Sequence, residues 1–238
     1  MRDDFLIFGS PLIMDEEIEE VVATLRSGWI GTGPKTKQFE EDFSDYIGCR
    51  HAIGVNSCTA GLHLALDALG IRDGDEVITT PMTFVATSNV ILHQRAVPVY
   101  TDIRPDSLCL DPDMIEDKIT AKTRAILPVH FAGVPANMPR SMEIARKHGL
   151  KVIEDAAHAV ETRIGDLKVG NIGDVASFSF YVNKNVVTAE GGMVTTNDDG
   201  IAEHVRIQSL HGISKDAWKR YSSEGFQPYD AIYPGYKY

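Results

Sequence analysis

The stretch HAIGVNSCTAGLHLALDALG, His51 to Gly70, decides the fold. HAIGV is a short apolar run, the length of a buried strand. Asn56 and Ser57 interrupt it, and an apolar helical pattern then runs to Gly70, which stops it. A strand feeding a helix in so few residues is one half of a βαβ unit.

The pattern repeats outward. EVITT (76–80), VPVYTD (97–102), RAILPVH (124–130) and KVIED (151–155) read as strands. TFVATSNVILHQ (83–94), DPDMIEDKI (111–119) and PRSMEIARKHG (139–149) read as the helices between them. DVASFSF (174–180) and GMVTTN (192–197) precede a last helix near Asp199–Leu210. Upstream, Asp15 is expected to cap a helix carrying Ile18, Val21, Val22 and Leu25 and ending at Gly28. After the loop WIGTGP, Pro34 opens a second helix with Phe39, Phe43 and Ile47 on one face. Alternation of this kind predicts an α/β domain with a mostly parallel central sheet flanked by helices. The tail 222–238, rich in Gly, Pro and Tyr, reads as a loop.

With 238 residues and 43% hydrophobic content, the chain can build a sizeable core. A net charge of −11 argues against broad binding of nucleic acid or anionic membrane. Cys49, Cys58 and Cys109 form no disulfide framework, the usage of a reducing compartment. No membrane-length apolar run and no signal peptide are legible, so a cytoplasmic location is expected.

Ligands of open parallel sheets gather at the carboxyl ends of the strands. Asn56, Ser57, Asp102, His130, Asp155, His158 and Lys184 all fall at that rim. Ser57, Cys58 and Thr59 open a helix, which suits a phosphate group; a plain N-cap explains the Ser equally. Asp155 ends an apolar strand, either as a backbone cap or as the partner of a buried cation. His158 fits beside a ligand or in the core. Lys184, in FYVNKNVVTAEGG (180–192), is either ordinary turn chemistry or an amine aimed inward. An anion cradle, a deep carboxylate and an amine on one rim suit pyridoxal phosphate, with Phe84 placed to stack on its ring. GWIGTGPKT (28–36) fails as a P-loop because Pro34 stands where the lysine belongs, no dinucleotide fingerprint follows the first strand, and no metal-ligand spacing occurs.

These residues sit in a pattern that resembles the DegT/StrS family of sugar aminotransferases. SGWIGTGPKTKQFEEDF, SCTAGLHLALDALGI, GDEVITTPMTFVATSN, VIEDAAHA, GDVASFSF, KNVVTAEGGMVTTND, LHGISKDAW and PGYKY carry the resemblance in family order. The last blocks look most like the branch that makes 4-amino-arabinose on UDP. The resemblance implies the type I fold of pyridoxal-phosphate transferases and a homodimer. It implies that Lys184 joins the cofactor aldehyde and Asp155 faces the pyridinium nitrogen. It places His158 beside the cofactor, Cys58, Thr59 and Ser179 on the phosphate, Phe84 on the ring, and Trp29, Gly31 and Thr32 near the sugar. Tyr181 stands where members often carry a His. An amino acid, by analogy glutamate, would give nitrogen to a nucleotide-linked keto sugar in cell-surface polysaccharide synthesis. Family members continue past the GYKY block into a small C-terminal domain, so a truncated protein is expected. The corresponding division is an N-terminal segment and substrate-side loop (1–33), a large cofactor domain (34–210) and the start of a connection (211–238). The alternatives are a cofactor-binding or partner-binding remnant, or a sugar dehydratase. The related dehydratases carry His where Lys184 stands.

Overall fold

The computed structural model describes residues 5, 9–213 and 230–238. Its elements are α1 (Asp15–Ser27), α2 (Pro34–Ile47), β1 (His51–Val55), α3 (Cys58–Ala68), β2 (Glu76–Thr79), α4 (Ala86–His93), β3 (Val97–Tyr100) and β4 (Thr123–Ile126). They continue with α5 (Met138–His148), β5 (Lys151–Asp155), β6 (Arg163–Ile164), β7 (Leu167–Lys168), β8 (Val175–Ser179), β9 (Gly192–Thr196) and α6 (Asp199–Gln208). Seven strands form one sheet in the order β1-β9-β8-β5-β4-β2-β3, and β6 and β7 form a separate hairpin. β9 runs antiparallel to both its neighbours; the pairs from β8 to β3 are parallel. The mostly parallel sheet read from the sequence is therefore the observed one.

Strand side chains alternate between faces, and the core divides accordingly. Ile53, Val77, Ala125, Ile153, Val175 and Val194 pack with α3, α4 and α6 on one face. Their sequence neighbours Ala52, Ala176 and Met193 pack beneath α2 on the other. Ile78, Ile126 and Val152 pack beneath α5 on that same second face. The α2 contact is aromatic: Phe43 meets Phe178 and Phe180 at 5.1 and 5.5 Å between ring centroids. Burying a side chain of that size stabilises by about 1.5–3 kcal/mol.

Close packing fixes α3 above the sheet. A Cβ on Gly61 would lie 2.2 Å from the Ser177 hydroxyl, so only glycine lets the helix approach. Ser177 Oγ donates to the Cys58 carbonyl at 3.0 Å, holding the start of the helix over β8. Gly192 plays the matching part on β9, where a Cβ would lie 2.5 Å from the Ser57 carbonyl carbon.

Several expectations are corrected. Asp15 does not cap α1: the cap is Met14, whose N–H is taken by the Glu17 carboxylate at 2.7 Å. The apolar positions of α1 are not buried; Ile18, Val21 and Leu25 are all exposed. DPDMIEDKI forms two short 3₁₀ turns, Pro112–Met114 and Glu116–Lys118, in place of a helix. Asp111 starts them by accepting the Asp113 N–H, a short-range bond that competes with an α-helical turn. The described end of the tail is docked: Tyr236 accepts the His211 N–H, and Leu210 bridges Lys237. The rest of the expected 211–238 connection, residues 214–229, lies outside the described residues, as do most of residues 1–8 of the expected N-terminal segment.

Candidate active site

The site forms where β5 and β8 end beneath the start of α3. Asp155 is the last residue of β5 and faces the α3 side, in register with Ile153. It is buried, and Thr87 Oγ1 of α4 donates to its Oδ2 at 2.8 Å. The Ala157 N–H donates to Oδ1 at 3.2 Å, and the Cys58 sulfur lies 4.0 Å from the same oxygen. Burial pushes the Asp155 carboxyl above the usual carboxylate range, against the Thr87 and Ala157 hydrogen bonds. No arginine or lysine forms an ion pair with Asp155 among the described residues. A buried carboxylate held by two or three weak donors has capacity for one more cation.

Lys184 stands in the loop between β8 and β9, its N–H bonded to the Tyr181 carbonyl at 2.9 Å. It is half-buried. Burial lowers its pKa, while the Asp155 carboxylate works the other way. The same reciprocal effect reaches His158, whose pKa is lowered by partial desolvation of its ring and then by the Lys184 charge, and raised by Asp155. Asp155, Lys184 and His158 are thus one electrostatic cluster. His158 is exposed, so the core-histidine alternative falls away.

Helix α3 supplies the anion cradle. Its first N–H groups, from Cys58 and Thr59, have no carbonyl one turn earlier to receive them. Ser57 is the N-cap: its hydroxyl accepts the Ala60 N–H at 3.1 Å and is committed there. Thr59 is exposed. Cys58 is buried, and its thiol reaches the Ser177 carbonyl at 3.4 Å. Burial and then the Asp155 charge drive the Cys58 pKa well above its normal value, so it is an uncharged packing group. Ser179 ends β8 on the same face as Asp155, and Phe84 stands 77% exposed just before α4, with no core role.

A hollow of about 620 Å³ opens beside the amine, lined by Gly133, His158, Thr162, Arg163, Asn183 and Lys184 among others. Trp29, Gly31 and Thr32 do not line it. Trp29 lies over Gly33 and borders a hollow of about 580 Å³ shared with Glu40 and Arg206, and Thr32 borders another of about 230 Å³ near Tyr238. Two rim residues turn out to be structural: Asp102 accepts the Ile103 N–H at 2.8 Å, and His130 donates to Glu154 on the far face of β5. Thr87, Ser177 and Arg163 were missed by the sequence reading. The signal for Thr87 was present in two hydroxyls four residues apart, Thr83 and Thr87, where a strand-end loop becomes a helix. Among the described residues no group of three or more His, Cys, Asp or Glu could hold a metal ion, and no helix is long and apolar enough to cross a membrane.

An amine, a deep carboxylate and a helix terminus thus stand on one rim of a seven-stranded α/β sheet. The chain belongs to the DegT/DnrJ/EryC1/StrS aminotransferase family, whose profile matches residues 11–238. It is 57% identical over 238 residues to an uncharacterised protein of Methanocaldococcus jannaschii. It is 51% identical over 236 residues to the spore coat polysaccharide biosynthesis protein SpsC of Bacillus subtilis. The chain spans 62% and 61% of the length of those two relatives, which themselves match 100% and 99% of it. Among solved structures it resembles PseC of Helicobacter pylori, an aminotransferase of pseudoaminic acid biosynthesis (TM-score 0.89, 30% identity, 98% of this chain and 61% of that one). It also resembles the PLP form of Streptococcus pneumoniae Spr1654, assigned as a sugar aminotransferase (TM-score 0.88, 37% identity, 98% and 62% covered).

Proposed function

We propose that this chain binds pyridoxal phosphate and serves in moving an amino group from an amino acid, by analogy glutamate, to a nucleotide-linked keto sugar. The observation that carries the reading is the convergence of the Lys184 amine, the buried Asp155 carboxylate and the α3 N-terminus. The residues fit the cofactor: Asp155 lacks a cation, and the first N–H groups of α3 lack acceptors. The N–H groups of Cys58 and Thr59, with the hydroxyls of Thr59 and Ser179, would hold the phosphate. Phe84 would cover one face of the ring, with His158 flanking it. When bound, the cofactor supplies an aldehyde that takes up nitrogen and a ring that draws electrons from the reacting carbon.

The chain's own residues supply the rest. Lys184 Nζ, made less basic by burial, is a suitable base at neutral pH for the proton on the donor's α-carbon, and the same amine can return it to the sugar carbon. Asp155, as a carboxylate, would hold a positive charge on the ring nitrogen of the bound cofactor. The hollow next to Lys184 is where the acceptor sugar enters. The named relatives serve several sugar products, so the reading commits to a nucleotide sugar and not to the 4-amino-arabinose branch. A cytoplasmic homodimer belongs to the same proposal, supported by the three unpaired cysteines and the family. Incubation with pyridoxal phosphate, glutamate and a nucleotide-linked keto sugar tests it. Amino sugar plus 2-oxoglutarate is the expected product pair; loss of water from the sugar without nitrogen transfer would favour the dehydratase.

A further inference from the structure

We infer that Thr83 and Thr87 form a hydroxyl relay that holds Asp155 in its ionised state and fixes the direction of its carboxylate. Thr87 is fully buried in the first turn of α4, and its Oγ1 stands 2.8 Å from Asp155 Oδ2. Thr83 Oγ1 stands 2.7 Å from Thr87 Oγ1. A hydroxyl has one hydrogen to give. When Asp155 is ionised it can only accept, so Thr87 donates to it, and Thr83 must then donate to Thr87. The order Thr83, Thr87, Asp155 follows from the charge state, and each bond polarises the next.

The relay answers a need that the surroundings create. Burial favours the neutral acid, and the titratable groups around Asp155 are a buried thiol (Cys58) on α3, His158 after β5, Lys184 in the β8–β9 loop and, across the sheet, His130. His130 donates to Glu154, His158 is exposed, and Lys184 is needed for the substrate. Among the described residues, the Ala157 N–H is the one backbone donor on the Asp155 carboxylate. Thr87 is therefore the donor on Oδ2, and Thr83 behind it stands in the loop that also carries Phe84. The seating of that loop is thereby tied to the charge of the carboxylate. Thr83 and Thr87 are positioning residues; neither is placed against a reacting atom. The catalytic consequence rests on the reading of Asp155 as partner of a protonated ring nitrogen, but the relay itself does not.

The test is the titration of Asp155 in protein without cofactor, followed by the NMR of ¹³C-carboxyl-labelled aspartate and assigned with Asp155→Asn. Thr87→Val keeps shape and removes the hydroxyl. It is expected to raise the proton affinity of Asp155 about ten-fold or more, the worth of a hydrogen bond to a charged group. Thr87→Ser is expected to restore it, and Thr83→Val to raise it by a smaller factor. Thr83→Val keeps the relay testable should Thr87→Val not fold. An Asp155 titration unmoved or lowered by these Val variants overturns the relay. A raised titration in a protein that never takes up pyridoxal phosphate keeps the relay and overturns the function proposed above.

Discussion

Glu154 and Asp155 are adjacent carboxylates, and the comparison between them explains the molecule better than either does alone. They end the same strand and point to opposite faces. Glu154 lies fully buried on the α5 side, where its two oxygens accept from Gly170, Ile172 and Gly173 N–H groups and face His130 Nε2 at 3.1 Å. His130 Nδ1 accepts the Ala136 N–H at 3.1 Å, so its ring proton sits on Nε2 and points at Glu154. Every lone pair of that carboxylate has an owner. Asp155, on the α3 side, has one hydroxyl, one N–H and a distant thiol, and burial raises its pKa. A saturated buried carboxylate clamps loops; an under-supplied one waits for a ligand.

The sharpest break of that comparison is Lys184→Ala, which should abolish turnover and remove the absorbance band of the lysine-bound cofactor while leaving the fold intact. An unchanged spectrum would show that another lysine is used. Next, Asp155→Asn should lower kcat on the order of 100- to 1000-fold, the scale of a lost charge at a reacting centre. Its effect on stability should have the opposite sign. A carboxyl whose folded pKa is raised favours the fold while protonated, and that contribution is lost as pH rises through the folded value. Without cofactor, Asp155→Asn should therefore melt no lower than the parent at pH 7, and its relative advantage should shrink at pH 4. Thermal melts at the two pH values check the sign.

Glu154→Gln should do the reverse. An amide nitrogen would face the donors on one side, costing about 2–4 kcal/mol of stability. The folded protein that remains should still take up cofactor, so chemical denaturation and cofactor titration separate the two carboxylates. The smallest effect is expected for Phe84→Ala: its ring is exposed, so melting should hardly move while cofactor affinity falls several-fold.

Much of this site is legible in the chain because it is local. The strand-to-helix step at Val55–Cys58 announces the α3 terminus, KVIED announces a carboxylate at a strand end, and the Gly191–Gly192 pair announces a close approach. What was not legible depends on contacts across the fold. The two hydroxyls of TFVAT mark a loop-to-helix step, but not that Thr87 meets a residue 68 positions away, nor that the donors on Glu154 come from residues 170–173. Met14 displaced Asp15 as the cap of α1 because a Glu17 side chain reached back, a choice that composition does not settle. The α1 stripe of Ile18, Val21 and Leu25 shows the opposite limit: periodicity marks the helix, yet those side chains are exposed.

Borohydride reduction of the protein after addition of pyridoxal phosphate, followed by peptide mass mapping, is the most direct trial. A single pyridoxyl group fixed on Lys184 is the expected outcome, and its loss in Asp155→Arg, where a guanidinium would displace the ring nitrogen, would tie the amine to the acid. Modification spread over surface lysines, with Lys184 unlabelled, would contradict the account at its centre.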